Sequence, residues 1–226
     1  MIRDISIGFT DLKYYGNETQ EQVKLANSST HKDVDLFLRL LSESKLKIGG
    51  KIEKINIDFT ENQKQLDFKS SPISDIVSVF NKLPFNSLND YLNLTNNEKS
   101  KFILKYIIDA FKEFSKKTDI DMNLIKSIAK KCEDVECKNN YYFGKLKNSK
   151  DRKHKAGIWI EHEMEVFKIY LDLLDKEEEL IKRGLVAETL PGYPKYFPLL
   201  GGIKWINNDK VEFFNRKKEI LKTLSA

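Results

Sequence analysis

Hydrophobic and polar positions alternate at the start of the chain, where Ile5, Ile7 and Phe9 predict a short strand. A polar, irregular stretch follows from Asp11 to Ser29, with one helical turn around Glu18 to Leu25. The spacing then becomes helical at Val34, Phe37, Leu38 and Leu41, with Thr30 and Asp33 as a capping pair and Gly49-Gly50 as the stop. Alternation returns at Ile55, Ile57 and Phe59, and again at Leu66 and Phe68. The polar turn Thr60 to Gln63 between these runs predicts a β-hairpin. After Ser71-Pro72, the residues Ile73, Ile76, Val77 and Phe80 fall on one helical face that ends before Pro84.

The middle of the chain reads as capped helices. Ser87 with Asp90, and Thr95 with Glu98, each place an N-cap hydroxyl three residues before an acid. The second pair opens a helix over Lys99 to Lys117 with Ile103, Ile107, Ala110, Phe111 and Phe114 on one stripe. Phe102, Tyr106 and Ile108 widen that stripe, which predicts burial on more than one side. A further helix around Met122 to Lys131 buries Ile125 and Ile128.

The longest amphipathic run, Ala156 to Leu190, fits two patterns. As a helix it aligns Ile160, Met164, Phe167, Leu171 and Leu174, pairs Glu178 with Lys182 and Glu179 with Arg183, and ends at Gly184. As strands it puts Ile158, Ile160, Met164 and Val166 on one face, needs a bulge near Val166, and turns at Asp175-Lys176-Glu177. Its aromatic and β-branched content favours strands. So do the short apolar runs Ile203–Ile206, Val211–Phe214 and Ile220–Leu224, which need a sheet to join. The expectation is an α+β protein: a mixed N-terminal half with central helices, then a mainly antiparallel β-meander. A seam near Lys138 to Asn140 divides residues 1–138 from 139–226, the two packing as one unit.

Composition narrows the function classes. The chain has 226 residues, and its net charge of +5 is small beside 39 basic and 34 acidic side chains. That balance is a solvated surface and not the footprint of a dedicated nucleic-acid binder. Two cysteines do not make a disulfide framework. No apolar window approaches the ~18 residues of a membrane span. With Asp4 inside the first apolar run, the chain is expected to be cytoplasmic, with no membrane contact.

Several clusters carry candidate chemistry. Cys132, Cys137, His154 and His162 are zinc-ligand types, but Cys-x4-Cys followed by sixteen residues and His-x7-His is looser than structural zinc sites use, so no metal is expected. Glu161, Glu163 and Glu165 read as the solvent face of a strand. The basic stretch Lys145 to Lys155 could meet phosphates, although no aromatic is interleaved and a solvated loop accounts for it. Leu190 to Gly202, LPGYPKYFPLLGG, is either a binding loop or a cover for a sheet edge. No phosphate-binding glycine loop or activated serine or cysteine is present, and no cofactor is expected.

Two resemblances follow. Asp58, with Asp67 and Lys69 on the next strand, is similar to the D…(D/E)-x-K signature of restriction-endonuclease-like folds. That likeness implies a Mg-dependent nuclease with those three residues as its catalytic set. The C-terminal meander ending WINNDKVEFFNRKKEILKTL, over residues 140–224, resembles bacterial toxin-neutralising immunity proteins in architecture. This second likeness implies a non-enzymatic protein-binding module that inhibits a toxin by surface complementarity. The expected contacts are Arg152, Lys153, Trp159, Tyr193 and Tyr196.

Overall fold

The computed structural model describes residues 2, 4–9, 19–44, 52–60, 65–70, 75–116 and 118–226; for residues 52, 60, 65–70 and 75 it describes the backbone. The chain divides into two compact units, Met1–Lys138 and Asn139–Ala226. The architecture is α+β, with the helices concentrated in the first unit and antiparallel strands filling the second. Among the described residues no helix is long and apolar enough to cross a membrane.

The first unit runs β1 (Asp4–Phe9), α1 (Gln20–Ser28), α2 (His31–Glu43), β2 (Ile52–Thr60), β3 (Gln65–Ser70), β4 (Asp75–Lys82), α3 (Leu88–Leu92), α4 (Asn96–Ser115) and α5 (Met122–Asp134). Its sheet has the order β1-β2-β4-β3, with β1, β2 and β4 parallel and β3 antiparallel to β4. Parallel neighbours need a crossover, and α1 with α2 supplies it between β1 and β2. One face of the sheet, Ile5, Ile7, Phe9, Ile55, Ile57, Phe59, Val77 and Val79, is buried in the same cluster as Phe37, Ile103, Ile107 and Phe111 of the helices. Phe59 sits at its centre, 5.2 Å from Phe9, 5.1 Å from Phe102 and edge-on to Tyr106 at 4.6 Å.

Two sequence expectations change here. Of the segment read as a helix from Ile73, Ile76, Val77 and Phe80, the part from Asp75 onward is strand β4, and Ile73 lies outside the described residues. Its apolar residues match a helical stripe by coincidence. Val77 and Val79 are buried opposite Ile55 and Ile57, while Ser78 joins the polar row on the other face. That row runs from Ser6 Oγ, which donates to Asn56 Oδ1 at 2.7 Å, to Asn56 Nδ2, which donates to Ser78 Oγ at 3.3 Å. The expected hairpin of β2 with β3 is also replaced, because β4 inserts between them and pairs with both.

Capping follows the sequence closely in α3 and α4, where Ser87/Asp90 and Thr95/Glu98 form reciprocal capping boxes. The helical turn expected near Glu18 to Leu25 is the two-and-a-half-turn α1, opened by a capping box of Thr19 with Gln22. Thr30 does precede α2 but makes no side-chain cap. Its hydroxyl donates to Asn27 O at 2.8 Å, and Asp33 is engaged elsewhere. Gly49-Gly50, Ser71-Pro72, residues 11–18 and the turn residues 61–63 lie outside the described residues.

The second unit contains β5 (Asn139–Tyr142), β6 (Lys147–Asn148), β7 (His154–His162), β8 (Phe167–Asp175), β9 (Leu180–Thr189), α6 (Tyr193–Tyr196), a 3₁₀ turn (Phe197–Leu199), β10 (Gly202–Trp205), β11 (Lys210–Phe214) and β12 (Ile220–Ser225). The run from Ala156 to Leu190 is therefore most of β7 and all of β8 and β9. The four residues 163–166 form a turn where a bulge was expected, closed by Glu163 N donating to Val166 O at 2.9 Å. Gly184 lies within β9 and caps no helix. Its missing side chain leaves room for Leu224 and Lys222 of β12.

Strands β5-β7-β8-β9, with β6 beside β7, make one antiparallel sheet, and β10-β11-β12 make a second. Their inner faces share one core, with Ile158, Ile160, Phe167, Ile169 and Leu171 from the first sheet meeting Ile203, Val211, Phe213 and Leu224 from the second. Face-to-face packing of two antiparallel sheets is the usual way to bury one apolar side of each. Short side chains of Asp151, Asp175, Asn207 and Asn215 accept backbone N–H groups and set four of the tight turns.

Candidate functional site

Alternation along β8 sends Phe167, Ile169, Leu171 and Leu173 into the core, and Lys168, Tyr170 and Asp172 to the opposite face. A polar network is built on that outer face. Asp172 is fully buried, and Arg183 of β9, its cross-strand partner, donates to both carboxylate oxygens from Nε at 2.8 Å and Nη2 at 2.7 Å. Tyr142 of β5 donates its hydroxyl to Asp172 Oδ2 at 2.9 Å. Glu161 accepts from Tyr170 at 3.0 Å and from the Trp159 indole at 3.3 Å. The Arg183 guanidinium lies 4.8 Å from the Trp159 ring and 5.3 Å from Tyr170. Such a bidentate, aromatic-flanked arginine uses a geometry that lysine lacks. Gly157 lies opposite Asp172, and a methyl group there would collide with Leu146 and Tyr142, which cover it.

Trp159, expected as a partner contact, is thus half-buried and committed to this network. Of the acidic trio, Glu161 alone lies on β7, while Glu163 and Glu165 fall in the following turn. The network's own members, Tyr142, Tyr170, Asp172 and Arg183, escaped the sequence reading. The signal was Asp172, set between Leu171 and Leu173 in the run FKIYLDLLD, since a buried carboxylate demands a cation.

Burial pushes the Tyr142 phenol up to about 12, reinforced by its hydrogen bond to Asp172. Burial likewise pushes Tyr91 in the first unit up to about 12, opposed by its hydrogen bond with Ser29. The unfolded chain ionises tyrosine near pH 10. Because both folded-state values are raised, the stability that goes with the protonated phenols is complete below about pH 10 and is lost as pH rises toward about 12. In an alkaline titration, phenolate absorbance from these two residues is expected to appear only as the near-ultraviolet signal of the fold collapses. Full ionisation of all 9 tyrosines near pH 10 with the fold intact would contradict this.

The other expected contacts are spread over the unit. Arg152 and Lys153 are exposed at the tip of the β6–β7 turn, where Arg152 adopts φ 60°. They belong to the basic stretch Lys145 to Lys155, of which Lys147 is tied down by donating to Ile203 O at 3.0 Å. Tyr193 is 56% exposed. Tyr196 is buried and stacks on Phe167 at 3.9 Å and 6°, so it anchors the loop and presents nothing to a partner. LPGYPKYFPLLGG therefore covers the core with Tyr196 and leaves Tyr193 exposed.

In the first unit β4 separates the residues of the nuclease reading. Asp58 lies opposite Phe80, Asp67 opposite Ser78 and Lys69 opposite Ile76. Asp58 and Asp67 are two strand spacings apart and offset by two residues along the strands, about 12 Å in all, where a hairpin would have made them neighbours. The side chains of Asp67 and Lys69 lie outside the described residues. The zinc-type set is not assembled either. His154 and His162 occupy opposite ends of β7, eight residues and about 26 Å apart, too far for one ion. His162 is buried, edge-on to Phe167 at 4.9 Å. Among the described residues no group of three His, Cys, Asp or Glu side chains is placed to hold a metal.

One polar cluster in the first unit was not foreseen. Buried Ser100 of α4 donates to Asp33 Oδ2 at 3.0 Å and accepts from Lys32 Nζ at 3.1 Å, while Lys32 pairs with Asp33 at 3.2 Å. A cleft of about 570 Å³ opens beside it, lined by Lys32, Asn96, Asn97, Ser100, Lys101, Glu133, Glu136 and Cys137. The hydrogen bond from Ser100 to Asp33 ties α4 to α2. Burial pushes the Cys132 thiol up to about 12 and raises Cys137 as well, against thiolate chemistry.

Comparison with protein-family models, with curated proteins and with solved structures finds no match to this chain.

Proposed function

We propose that this chain is a non-enzymatic protein-binding module of bacterial origin that works in the cytoplasm, and that its partner is a toxin it neutralises by stoichiometric capture. The observation that carries the reading is the distribution of exposed apolar side chains. Among the described residues, ten large hydrophobic side chains are exposed, and eight of them belong to the second unit: Phe143, Leu180, Ile181, Leu185, Leu190, Tyr193, Ile206 and Ile220. A contiguous apolar patch marks an interaction site, and Leu180, Ile181 and Leu185 share the single strand β9.

Charge points the same way. The second unit carries 17 basic and 13 acidic side chains, so it holds +4 of the total charge of +5. Arg152, Lys153 and Tyr193 supply exposed contacts, and Trp159 stiffens the sheet between them. Strand β9 is an edge strand bearing Leu180, Ile181 and Leu185, and its pairing with β8 is interrupted twice. Those bulges break the regular row of backbone groups, so capture is by side chains and not by adding a strand.

The test is co-expression with the product of the neighbouring gene. Relief of growth arrest, together with a stoichiometric complex in size-exclusion chromatography, is the expected result. Mg²⁺-dependent cleavage of nucleic acid that vanishes in Asp67→Ala would overturn the reading in favour of a nuclease. Salt-sensitive nucleic-acid binding abolished by charge reversal at Arg152 and Lys153 would overturn it in favour of a nucleic-acid binder.

A further inference from the structure

Between β9 and β10 the chain builds a rigid, outward-facing aromatic platform, and we infer that it receives an acidic protein surface through an apolar anchor flanked by carboxylates. This assignment rests on the protein-binding reading and says where on the second unit, and with what chemistry, the partner docks.

The platform begins with an anchor in the core. Tyr196 stacks on Phe167 at 3.9 Å and lies edge-on to His162 at 6.0 Å, which holds α6 to the sheet. Gly192 enters α6 with φ 126°, a conformation that glycine adopts and bulkier residues avoid. Pro191, Pro194 and Pro198 restrict the rest of the loop. On this base Tyr193 is exposed, yet its ring is stacked on Phe197 at 4.3 Å and 24°. Leu190, 63% exposed, stands three residues before it. The Arg216 guanidinium lies 3.8 Å from the Phe197 ring centre, and Arg216 N donates to Pro198 O at 3.1 Å, tying the β11–β12 turn to the loop.

Tyrosine and arginine are the residues on which interface energy concentrates. Here their ordering cost is met before any partner arrives, because ring stacking and prolines already fix them. An exposed aromatic held this firmly is unusual for a loop whose only task is to cover a core.

Charge selects the occupant. Exposed Lys195 lies within the platform, and exposed Lys217 and Lys218 follow Arg216 in the turn tied to it, with Lys218 Nζ 4.5 Å from the Phe214 ring centre; Glu219, the acid within that turn, is already bonded by Asn215 Nδ2 at 2.6 Å. The β7–β8 turn, which carries Glu163 and Glu165, lies at the end of the sheet where the loop leaves β9, since Phe167 pairs with Thr189. The partner's carboxylates therefore belong over the Arg216–Lys218 side, with its apolar anchor against Leu190 and Tyr193.

The experiment is selection from a displayed random-peptide library on the intact chain. Enriched peptides should combine an aromatic or aliphatic residue with net negative charge. Their affinity should fall at least tenfold in Tyr193→Ala and in the double variant Arg216→Glu/Lys218→Glu, and should fall with added salt, while Lys126→Glu on α5 leaves it unchanged. The far-ultraviolet spectrum of each variant checks that the fold persists. Peptides that are not acidic, or whose binding is lost in Arg152→Glu/Lys153→Glu and kept in Tyr193→Ala, overturn this docking site and leave the protein-binding reading standing. Failure to enrich any peptide above an unfolded-chain control overturns both.

Discussion

Replacing Arg183 with alanine is expected to destabilise the second unit by about 3 kcal/mol, the lower end of what breaking a buried ion pair costs. Asp172 is wholly buried while the Arg183 side chain is 28% exposed, so part of the guanidinium's value is already screened. The loss comes from stranding the Asp172 carboxylate among Tyr142, Gly157 and the strand backbone, more than from the lost attraction itself. That cause has its own signature. Adding Asp172→Asn to Arg183→Ala should recover a substantial share of the lost stability, because the stranded charge is removed with its partner. Urea denaturation followed by tryptophan fluorescence measures both, since Trp159 and Trp205 are the chain's 2 tryptophans and both lie in this unit. A double variant no more stable than Arg183→Ala alone would refute the explanation.

Phe59→Ala is expected to cost the first unit about 3–5 kcal/mol, the range for removing a fully buried aromatic. Phe59 is 0% exposed, on the central strand β2, in contact with rings from β1 and α4. It therefore couples the sheet to the helix that covers it, and collapse of the neighbours into the gap would have to move both at once. Helical ellipticity in the far ultraviolet reads this loss, and a shift below 1 kcal/mol would mean that the site closes by repacking. Phe59→Leu should recover most of the stability by restoring volume without the ring contacts.

The contrast between these two positions shows what the sequence carried and what it did not. Phe59 was legible because local alternation with Ile55 and Ile57 says which face of β2 is buried. The caps at Ser87 and Thr95 were legible for the same reason, as each depends on residues three positions away. Strand β4 was not, because Ile73, Ile76, Val77 and Phe80 satisfy a helical stripe equally well. What decides is pairing with β2, a partner some twenty residues earlier. The same long-range pairing replaced the β2–β3 hairpin and with it the neighbouring placement of Asp58 and Asp67. In the second unit the strands of Ala156 to Leu190 could be favoured from their aromatic and β-branched content. The Asp172–Arg183 pair could not, since a helical register pairs Arg183 with Glu179, and only the antiparallel ladder sets it against Asp172. Tyr196 and Tyr193 look alike in YPKY, yet one is core and the other surface, a distinction made by Phe167 from a strand the loop does not adjoin in sequence.

The two interruptions in the pairing of β9 have one more effect. A straight outer strand bearing Leu180, Ile181 and Leu185 would template fibrils, as copies of the chain joined edge to edge. The extra residues Ile181 and Val186 kink that border, so the protein can keep a sticky flank and still remain dispersed when crowded with its own copies.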